Sequence, residues 1–205
     1  MLRALGARVT GLDLSEAMLA RARAKNGGPG PPHRAYLGDA ERLADPDAAY
    51  DAVVARHLAW TLPDAPAAFA EWLRVLRPGG RLLVVDGDWV TLTPLGRAER
   101  WLSERLAARA GAADATGAEA EAGRDPDAHA AILARVHYRA GLTASALRGD
   151  LARAGFGAFA AHDVGRVYRA TLAPAPLAAR LRMTAPRRFA LSAARPAAPT
   201  TAVPR

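Results

Sequence analysis

Charged side chains end three short apolar segments in the first part of this chain. Asp13 ends the first segment, Asp39 ends the second, and Arg56 and His57 end the third. Each segment has the length and composition of a short strand, and we predict the first as a buried strand. In an open sheet of parallel strands, ligands bind in the crevice outside the carboxyl ends of the strands. The sequence therefore predicts that these side chains share one ligand site.

The chemistry of these groups suits a nucleoside. The two oxygens of Asp13 can accept hydrogen bonds from both hydroxyls of a ribose. Asp39 can accept from the amino group of an adenine, and the backbone of Ala40 can face the ring nitrogens. The apolar Leu14 can cover the face of the ring. Structural roles are the alternatives: a carboxylate at the start of a helix for Asp13, and a turn residue for Asp39.

Alternating strands and helices position these groups. We predict strands over residues 8–13, 34–39, 50–56 and 81–86, and helices over residues 16–25 and 66–76. Ser15 is a suitable cap for the first helix. In the second helix, apolar residues recur at the spacing of one helical face. This alternation predicts an α/β, Rossmann-like fold with a mainly parallel sheet and helices on both faces.

The second half of the chain is less regular. We predict helices over residues 95–110, 144–154 and 177–183, strands over 158–169 and 187–193, a mobile loop over 111–127, and a disordered tail over 196–205. Asp86 and Asp88 follow the predicted fourth strand. We interpret them as solvated loop acids, with a general base as the alternative.

Composition narrows the class of protein. The chain has 205 residues, of which 51% are hydrophobic and 23% charged, and this fits one globular domain. It has no cysteine, and its five histidines lack the spacing of metal ligands, so we predict no disulfide and no metal site. Without a long apolar run, no membrane partner is predicted either. A cytoplasmic protein is the resulting prediction.

Positive charge is concentrated near the C-terminus. The net charge is +8, and the residues from Val164 onward contain eight arginines and no acid. One interpretation is an anionic substrate or an acidic partner held by this segment. We favour a generally arginine-rich protein, because the chain has a single lysine and this segment lacks the repeated interleaving of aromatic residues that a stacking platform needs. A nucleic-acid partner is not predicted.

Four segments together resemble class I S-adenosylmethionine (SAM) dependent methyltransferases, of the type 11 group that includes ubiquinone-biosynthesis-like enzymes. Residues 11–19 are similar to the second-strand segment of that family, residues 38–54 to its adenine loop and fourth strand, residues 76–82 (Leu-Arg-Pro-Gly-Gly-Arg-Leu) to the start of its fifth strand, and residues 141–156 to its late helix. The resemblance implies a single domain over residues 1–195 with a variable insertion over 91–138. It also implies SAM as the cofactor and a small molecule as the methyl acceptor.

The resemblance gives the site residues a cofactor role. It implies that Asp13, Leu14, Asp39, Ala40 and Arg56 contact SAM. His57 would lie beside the transferred methyl group and is a candidate catalytic residue, although a histidine with a purely structural role is the favoured alternative. Trp60 and Trp89 either line the acceptor pocket or pack at its rim. Because SAM is already activated, no dedicated base is required.

One departure from the family is large. The family opens with a strand and a glycine-rich loop, and nothing similar precedes Gly6. The missing strand would be central, between the strands that end at Asp13 and Arg56, so we expect unpaired backbone groups on both and weak SAM binding. A truncated chain is one interpretation, and a degenerate, non-catalytic domain is the alternative. An NAD-dependent oxidoreductase is a further alternative, disfavoured by the Pro-Gly-Gly segment.

Overall fold

The computed structural model describes residues 2–25, 33–109, 134–184 and 187–197. These residues form strands and helices in alternation. In chain order they are β1 (Thr10–Asp13), α1 (Glu16–Ala24), β2 (Arg34–Leu37), β3 (Tyr50–Arg56), α2 (Ala65–Val75), β4 (Leu76–Asp88), α3 (Pro94–Arg109), α4 (Ala144–Arg153), β5 (Gly157–His162), α5 (Gly165–Leu172), α6 (Leu177–Thr184) and β6 (Arg187–Ala194). Short 3-10 helices cover Leu2–Leu5 and Ala59–Thr61.

The strands form two separate sheets. In the first, β1 and β2 are parallel. The second has the order β3-β4-β6-β5, in which β3 and β4 are parallel, while β6 runs antiparallel to both β4 and β5. The predicted α/β fold class is confirmed, and the sheet is mixed because β6 reverses its direction.

A gap separates β1 from β3. Cavities of about 600 Å³ and about 140 Å³ each contact both strands, which do not pair with one another. Within the described ranges, the facing edges of β1 and β3 therefore lack a ladder partner, as expected from the sequence. Val54 on β3 remains 49% exposed. The prediction of β1 as a buried strand was wrong, since its residues are only half-buried beside this gap.

Helix α2 carries much of the core. It begins after Asp64, whose Oδ1 accepts a hydrogen bond from the backbone N–H of Ala67 at 3.0 Å. Its apolar face buries Phe69 and Trp72, whose rings meet edge to face at 5.2 Å between centroids. Burial of a large apolar side chain contributes roughly 1.5–3 kcal/mol. The predicted amphipathic helix is thus confirmed.

The Pro-Gly-Gly segment lies inside β4, which begins at Leu76, whereas we predicted that this strand begins at residue 81. Tyr50 pairs with Leu76, but Ala52 pairs with Arg81, so the intervening residues bulge out of the ladder. Gly79 has a φ of 79° within this bulge. The glycines therefore serve a bulge inside a continuous strand, because β3 supplies pairing partners on both sides of it.

The second half of the chain gives one correction and one confirmation. The predicted strand over residues 158–169 is confirmed up to His162, where β5 ends, and was wrong beyond it, because α5 begins at Gly165. Asp163 separates the two elements, since its Oδ1 accepts from the backbone N–H of Gly165 at 2.7 Å. Helix α4 begins as predicted after Thr143, whose hydroxyl accepts from the N–H of Ala146 at 3.1 Å. Predictions for residues 111–127 and 198–205 fall outside the described residues.

Candidate functional site

A cavity of about 390 Å³ lies at the carboxyl ends of β1, β2 and β3. All the residues predicted to bind the cofactor line this cavity: Asp13, Leu14, Asp39, Ala40 and Arg56. His57 lines it as well. The structure thus brings together side chains that the sequence places up to 44 positions apart. Their individual roles stay predictions.

Asp13 occupies the junction between β1 and α1. Its Oδ1 accepts a hydrogen bond from the backbone N–H of Ser15 at 2.8 Å, and the hydroxyl of Ser15 in turn caps α1. Among the described residues, Oδ2 of Asp13 has no partner. A carboxylate oxygen accepts more than one hydrogen bond. The structural role and the ligand role proposed for Asp13 are therefore compatible.

The loop after β2 is held in place by the core. Oδ1 of Asp39 accepts from the backbone N–H of Glu41 at 2.9 Å, and the carbonyl oxygen of Ala40 accepts from Nε1 of Trp72 at 3.1 Å. A Cβ atom on Gly38 would lie 2.8 Å from Cδ1 of Leu12. Glycine thus allows this loop to approach β1 closely. Sequence analysis did not assign Gly38 to the site, although its place before Asp39 was a signal.

Leu14 covers the mouth of the cavity with 73% of its surface exposed. An apolar side chain in this position suits the face of a planar ring. Further lining residues follow β3 in a loop that sequence analysis did not assign to the site: Leu58, Thr61, Leu62 and Pro63. Their position after a strand that ends in Arg56 was the available signal.

His57 has a strained backbone and a half-buried ring. Its φ is 53°, a left-handed conformation that is uncommon for residues other than glycine. Its N–H donates to the carbonyl oxygen of Val85 at 3.0 Å, and its ring meets Trp89 edge-on at 5.1 Å between centroids. Nδ1 is buried with no hydrogen-bond partner among the described residues. Strain of this kind is concentrated at functional sites.

The imidazole of His57 is electrostatically biased toward its neutral form. Burial lowers its pKa most, and the charges of Arg56 and Arg188 lower it further. Nε2 lies 3.4 Å from the hydroxyl oxygen of Tyr168. A neutral imidazole can accept a proton, so His57 remains a candidate base. Arg188 and Tyr168 were not assigned to the site by sequence analysis, and no local signal marked them.

The interpretation of Asp86 and Asp88 as solvated loop acids was wrong. Both belong to β4, and their exposed fractions are 0% and 6%. Oδ1 of Asp86 accepts from the backbone N–H of Gly87 at 2.9 Å and from Nε1 of Trp89 at 3.1 Å. Burial raises the pKa of Asp86. Both carboxylates are buried because β4 continues through Asp88. The hydrogen bonds that Asp86 accepts hold the chain that follows it in place.

Three hydrogen-bonded polar residues do not line the cavity: Tyr138, His137 and Asp150. Tyr138 donates its hydroxyl to Oδ2 of Asp150 at 2.6 Å, and Nε2 of His137 lies 3.3 Å from the same oxygen.

The part of the chain that the structure describes holds no cluster of residues suited to a metal ion. None of its helices has the length and apolar character needed to cross a membrane.

Residues 1–84 match the family model described as a methyltransferase domain. This part of the chain is therefore similar to the methyltransferase domain family. The match includes the second-strand segment, the adenine loop and the Pro-Gly-Gly segment that carry the class I resemblance. The similarity to this family implies SAM as the cofactor.

Relatives support the same family. A malonyl-(acyl-carrier protein) O-methyltransferase of Serratia marcescens is 43% identical over 83 residues, which cover 40% of this chain and 31% of that protein. A demethylmenaquinone methyltransferase of Thermus thermophilus is 43% identical over 84 residues, covering 41% of this chain and 38% of that methyltransferase. A phosphatidylethanolamine N-methyltransferase of Cereibacter sphaeroides is 37% identical over 97 residues, covering 46% and 48%. The chain therefore spans less than half of the length of each of these relatives.

Solved structures confirm the fold. A SAM-dependent methyltransferase from Methanosarcina mazei superposes with a TM-score of 0.59 at 18% identity, over 96% of this chain and 86% of that one. A SAM-dependent methyltransferase from Mesorhizobium loti gives 0.55 at 21% identity, over 92% and 80%. The 4+2 cyclase SpnF gives 0.55 at 20% identity, over 93% and 67%. The fold is the Rossmann-like class I methyltransferase fold, and it accommodates more than one reaction.

The lining of the cavity suits the adenosine part of SAM better than its methionyl part. Carboxylates and an apolar cover suit the ribose and adenine. Among the described residues that line it, no glycine-rich loop at the start of a helix is available for the methionyl carboxylate. Three residues line both this cavity and the smaller cavity between β1 and β3: Leu12, Ala40 and Leu58. The candidate site therefore adjoins the gap in the sheet.

Proposed function

We propose that this chain binds SAM in the cavity at the ends of β1, β2 and β3 and transfers its methyl group to a small molecule. The convergence of Asp13 and Asp39 on one cavity, within the segment that matches the methyltransferase family, carries this proposal. The relatives act on different acceptors, so none of these acceptors is carried over to this chain.

SAM supplies an activated methyl group: the bond from carbon to the sulfonium sulfur breaks, its electron pair stays on sulfur, and the carbon bonds to a nucleophilic atom of the acceptor. Asp13 holds the ribose through its carboxylate, and Asp39 holds the amino group of the adenine. Leu14 covers the ring and excludes water from it. These residues align the reactants, and alignment accounts for most of the rate that such a transfer needs.

His57 serves the acceptor side of the cavity. Where the nucleophile carries a proton, the neutral imidazole of His57 accepts it during or after the transfer. A nucleophile that is already anionic needs no such step. We propose this role for His57 on the basis of its place beside Arg56 at the end of β3 and of its lowered pKa.

Calorimetric titration of S-adenosylhomocysteine, the demethylated product of SAM, tests the cofactor site. We expect Asp13→Asn to weaken its binding about tenfold or more, since a charge-assisted pair of hydrogen bonds is lost. Asp163→Asn is the matched control, because Oδ1 of Asp163 also accepts from the N–H two residues ahead at the start of a helix but lies outside the cavity. Equal affinity in both variants would contradict the proposal.

A degenerate, non-catalytic domain is the second candidate. The unpaired edges of β1 and β3 and the missing glycine-rich lining favour it. Binding of S-adenosylhomocysteine without methyl transfer to any compound of an acceptor panel would support this candidate. The disfavoured NAD-dependent oxidoreductase would instead bind NADH in place of S-adenosylhomocysteine. We also propose a cytoplasmic location, in line with the absence of cysteine from the chain.

A further inference from the structure

Asp45 connects the two sheets across the gap between β1 and β3. Its Oδ1 accepts a hydrogen bond from the hydroxyl of Tyr50 at 2.7 Å, and its Oδ2 accepts one from the hydroxyl of Tyr36. Tyr36 belongs to β2 of the first sheet, and Tyr50 begins β3 of the second. All three side chains are half-buried in the lining of the cavity of about 140 Å³. Within the described ranges, the carboxylate thus joins two sheets that no ladder joins.

The loop that carries Asp45 is fixed on α2 by Arg74. The guanidinium group of Arg74 donates to the carbonyl oxygens of Asp45 at 2.9 Å and of Leu43 at 3.0 Å. It also pairs with Glu71, whose Oε2 accepts from the backbone N–H of Leu43 at 2.8 Å. Helix α2 packs against β4 of the second sheet. Asp45 is therefore held by the second sheet and its helix, and Tyr36 attaches the first sheet to it.

Both tyrosine hydroxyls remain donors at ordinary pH. Burial raises the pKa of Tyr36 and of Tyr50 most, and hydrogen bonding to the Asp45 carboxylate raises both further. Hydrogen bonds from a neutral donor to a carboxylate are roughly twice as strong as those between neutral groups. The two bonds to Asp45 are thus suited to hold the sheets at a defined separation.

The cavity of about 390 Å³ is divided between the same two sheets. Asp13 and Asp39 line it from the end of β1 and from the loop after β2, and we call this side the β1 half. Arg56 and His57 line it from the end of β3, and we call this side the β3 half. The separation of the two halves depends on how the first sheet lies against the second. A ligand that contacts both halves requires the correct separation.

We infer that Asp45 is a positioning residue for the cofactor site: through the hydroxyls of Tyr36 and Tyr50 it sets the separation between the β1 half and the β3 half. This inference rests on the proposed function, because it concerns the same site. Under that function adenosine contacts the β1 half alone, whereas S-adenosylhomocysteine reaches the β3 half as well. The loss of the two hydrogen bonds should therefore weaken the longer ligand and spare the shorter one.

The double variant Tyr36→Phe/Tyr50→Phe tests this difference, because it keeps both rings and removes both hydroxyls. We measure the binding of adenosine and of S-adenosylhomocysteine to the full chain by calorimetry. The affinity for S-adenosylhomocysteine is expected to fall about tenfold, and that for adenosine to change less than about twofold, since only the longer ligand uses the preset separation. A general loosening of the fold would weaken both ligands alike. Equal losses, or an unchanged affinity for S-adenosylhomocysteine, would overturn the inference.

Single substitutions in the loop locate the effect. Asp45→Ala is expected to reproduce the result of the double tyrosine variant. Asp47→Ala is the matched control, since Asp47 lies in the same loop and pairs with Arg74 at 2.7 Å, but its side chain is 78% exposed. The control should bind both ligands as the unmodified chain does. A selective loss in the Asp47 variant as large as that in the Asp45 variant would overturn the assignment to Asp45.

A distance measurement separates this inference from the proposed function. The chain has no cysteine, so Ala20→Cys on α1 and Ala161→Cys on β5 attach one spin label beside each sheet, both at exposed positions. Helix α1 packs on β1 and β2 of the first sheet, whereas β5 belongs to the second. Pulsed electron paramagnetic resonance is expected to give a broader distance distribution once the Tyr36→Phe/Tyr50→Phe changes are added.

The two measurements together have distinct outcomes. If the distribution broadens but neither ligand binds the unmodified chain, the proposed function fails and the connection through Asp45 stands. If both ligands bind the unmodified chain and the distribution keeps its width, the inference on Asp45 fails and the proposed cofactor site stands. A broader distribution together with the selective loss of S-adenosylhomocysteine binding supports both proposals.

Discussion

Trp72 connects the hydrophobic core to the cofactor cavity through a single hydrogen bond to Ala40. The indole N–H donates to the carbonyl oxygen of Ala40 at 3.1 Å, and both residues are buried. Trp72 lies on α2, whereas Ala40 belongs to the loop that carries Asp39. Because the bond is shielded from water, it fixes the loop backbone that is proposed to face the adenine.

Trp72→Phe tests this connection. The variant keeps an aromatic ring in the core but leaves the carbonyl of Ala40 without its partner. We expect the free energy of unfolding to fall by about 1–3 kcal/mol and the affinity for S-adenosylhomocysteine to fall severalfold. Urea denaturation and calorimetry measure the two effects. Trp101→Phe is the control, because Trp101 is 53% exposed on α3 and should change neither quantity. Unchanged affinity in the Trp72 variant would contradict a role in holding the loop.

The hydrogen bond from Tyr138 to the buried carboxylate of Asp150 should stabilise the folded chain. The tyrosine hydroxyl donates to it at 2.6 Å, and the exposed fraction of Asp150 is only 8%. Burial and this carboxylate together raise the pKa of Tyr138, so the hydroxyl remains a donor at all ordinary pH values. Tyr138→Phe should lower the free energy of unfolding by about 1.5–3 kcal/mol, since a hydrogen bond to a charged group is lost. A change below about 0.5 kcal/mol in urea denaturation would show that the bond contributes little.

His57 should make stability depend on pH. Its pKa is lowered in the folded chain, so the unfolded chain binds more protons around the ordinary histidine pKa of about 6.5. Its contribution is therefore present above that pH and is lost as the pH falls through the folded pKa. His57→Asn removes the titrating group, and asparagine tolerates the φ of 53°. We expect the stability of the wild-type chain relative to this variant to decrease between about pH 7.5 and about pH 5.

Urea denaturation at a series of pH values measures this difference. Both proteins carry the same other titratable groups, so their contributions cancel in the comparison. A difference in unfolding free energy that stays constant across the series would mean that the pKa of His57 is not lowered by burial and by the charges of Arg56 and Arg188.

The open edge of β3 should promote association between copies of the chain. Val54 lies on this strand, contacts both cavities of the gap and is 49% exposed. Unpaired strand edges pair with other chains, and a lysine on the edge opposes such pairing. Val54→Lys should therefore slow the rise of light scattering at high protein concentration. Val167→Lys, which changes a 65% exposed valine on α5, controls for the added charge. An equal effect of the two variants would assign the gain to net charge alone.

Local signals predicted most of the elements and several of the residues that line the cavity. The helical spacing of Phe69 and Trp72 predicted α2, and the cap Ser15 correctly marked the start of α1. Such signals act within a few positions of the chain, so they are readable without the fold. The placement of Asp13 and Asp39 at one edge followed from the general rule for parallel strands.

Predictions from local sequence signals were wrong where the structure depends on pairing between distant strands. The Pro-Gly-Gly segment forms a bulge inside β4, before the predicted start of this strand, because β3 pairs with residues on both sides of it. Asp86 and Asp88 are buried because β4 continues past the predicted strand end. Neither outcome is encoded within a window of a few residues, since both depend on which strand lies alongside.

The sequence by itself therefore determined the fold class and placed Asp13 and Asp39 at one cavity. Only the tertiary structure decided what surrounds His57, whose ring meets Tyr168 from 111 positions further along the chain. Arg188 packs on Trp89 from β6, a strand that runs antiparallel to β4. Contacts across such separations result from the packing of every element in between, so no window of a few residues encodes them.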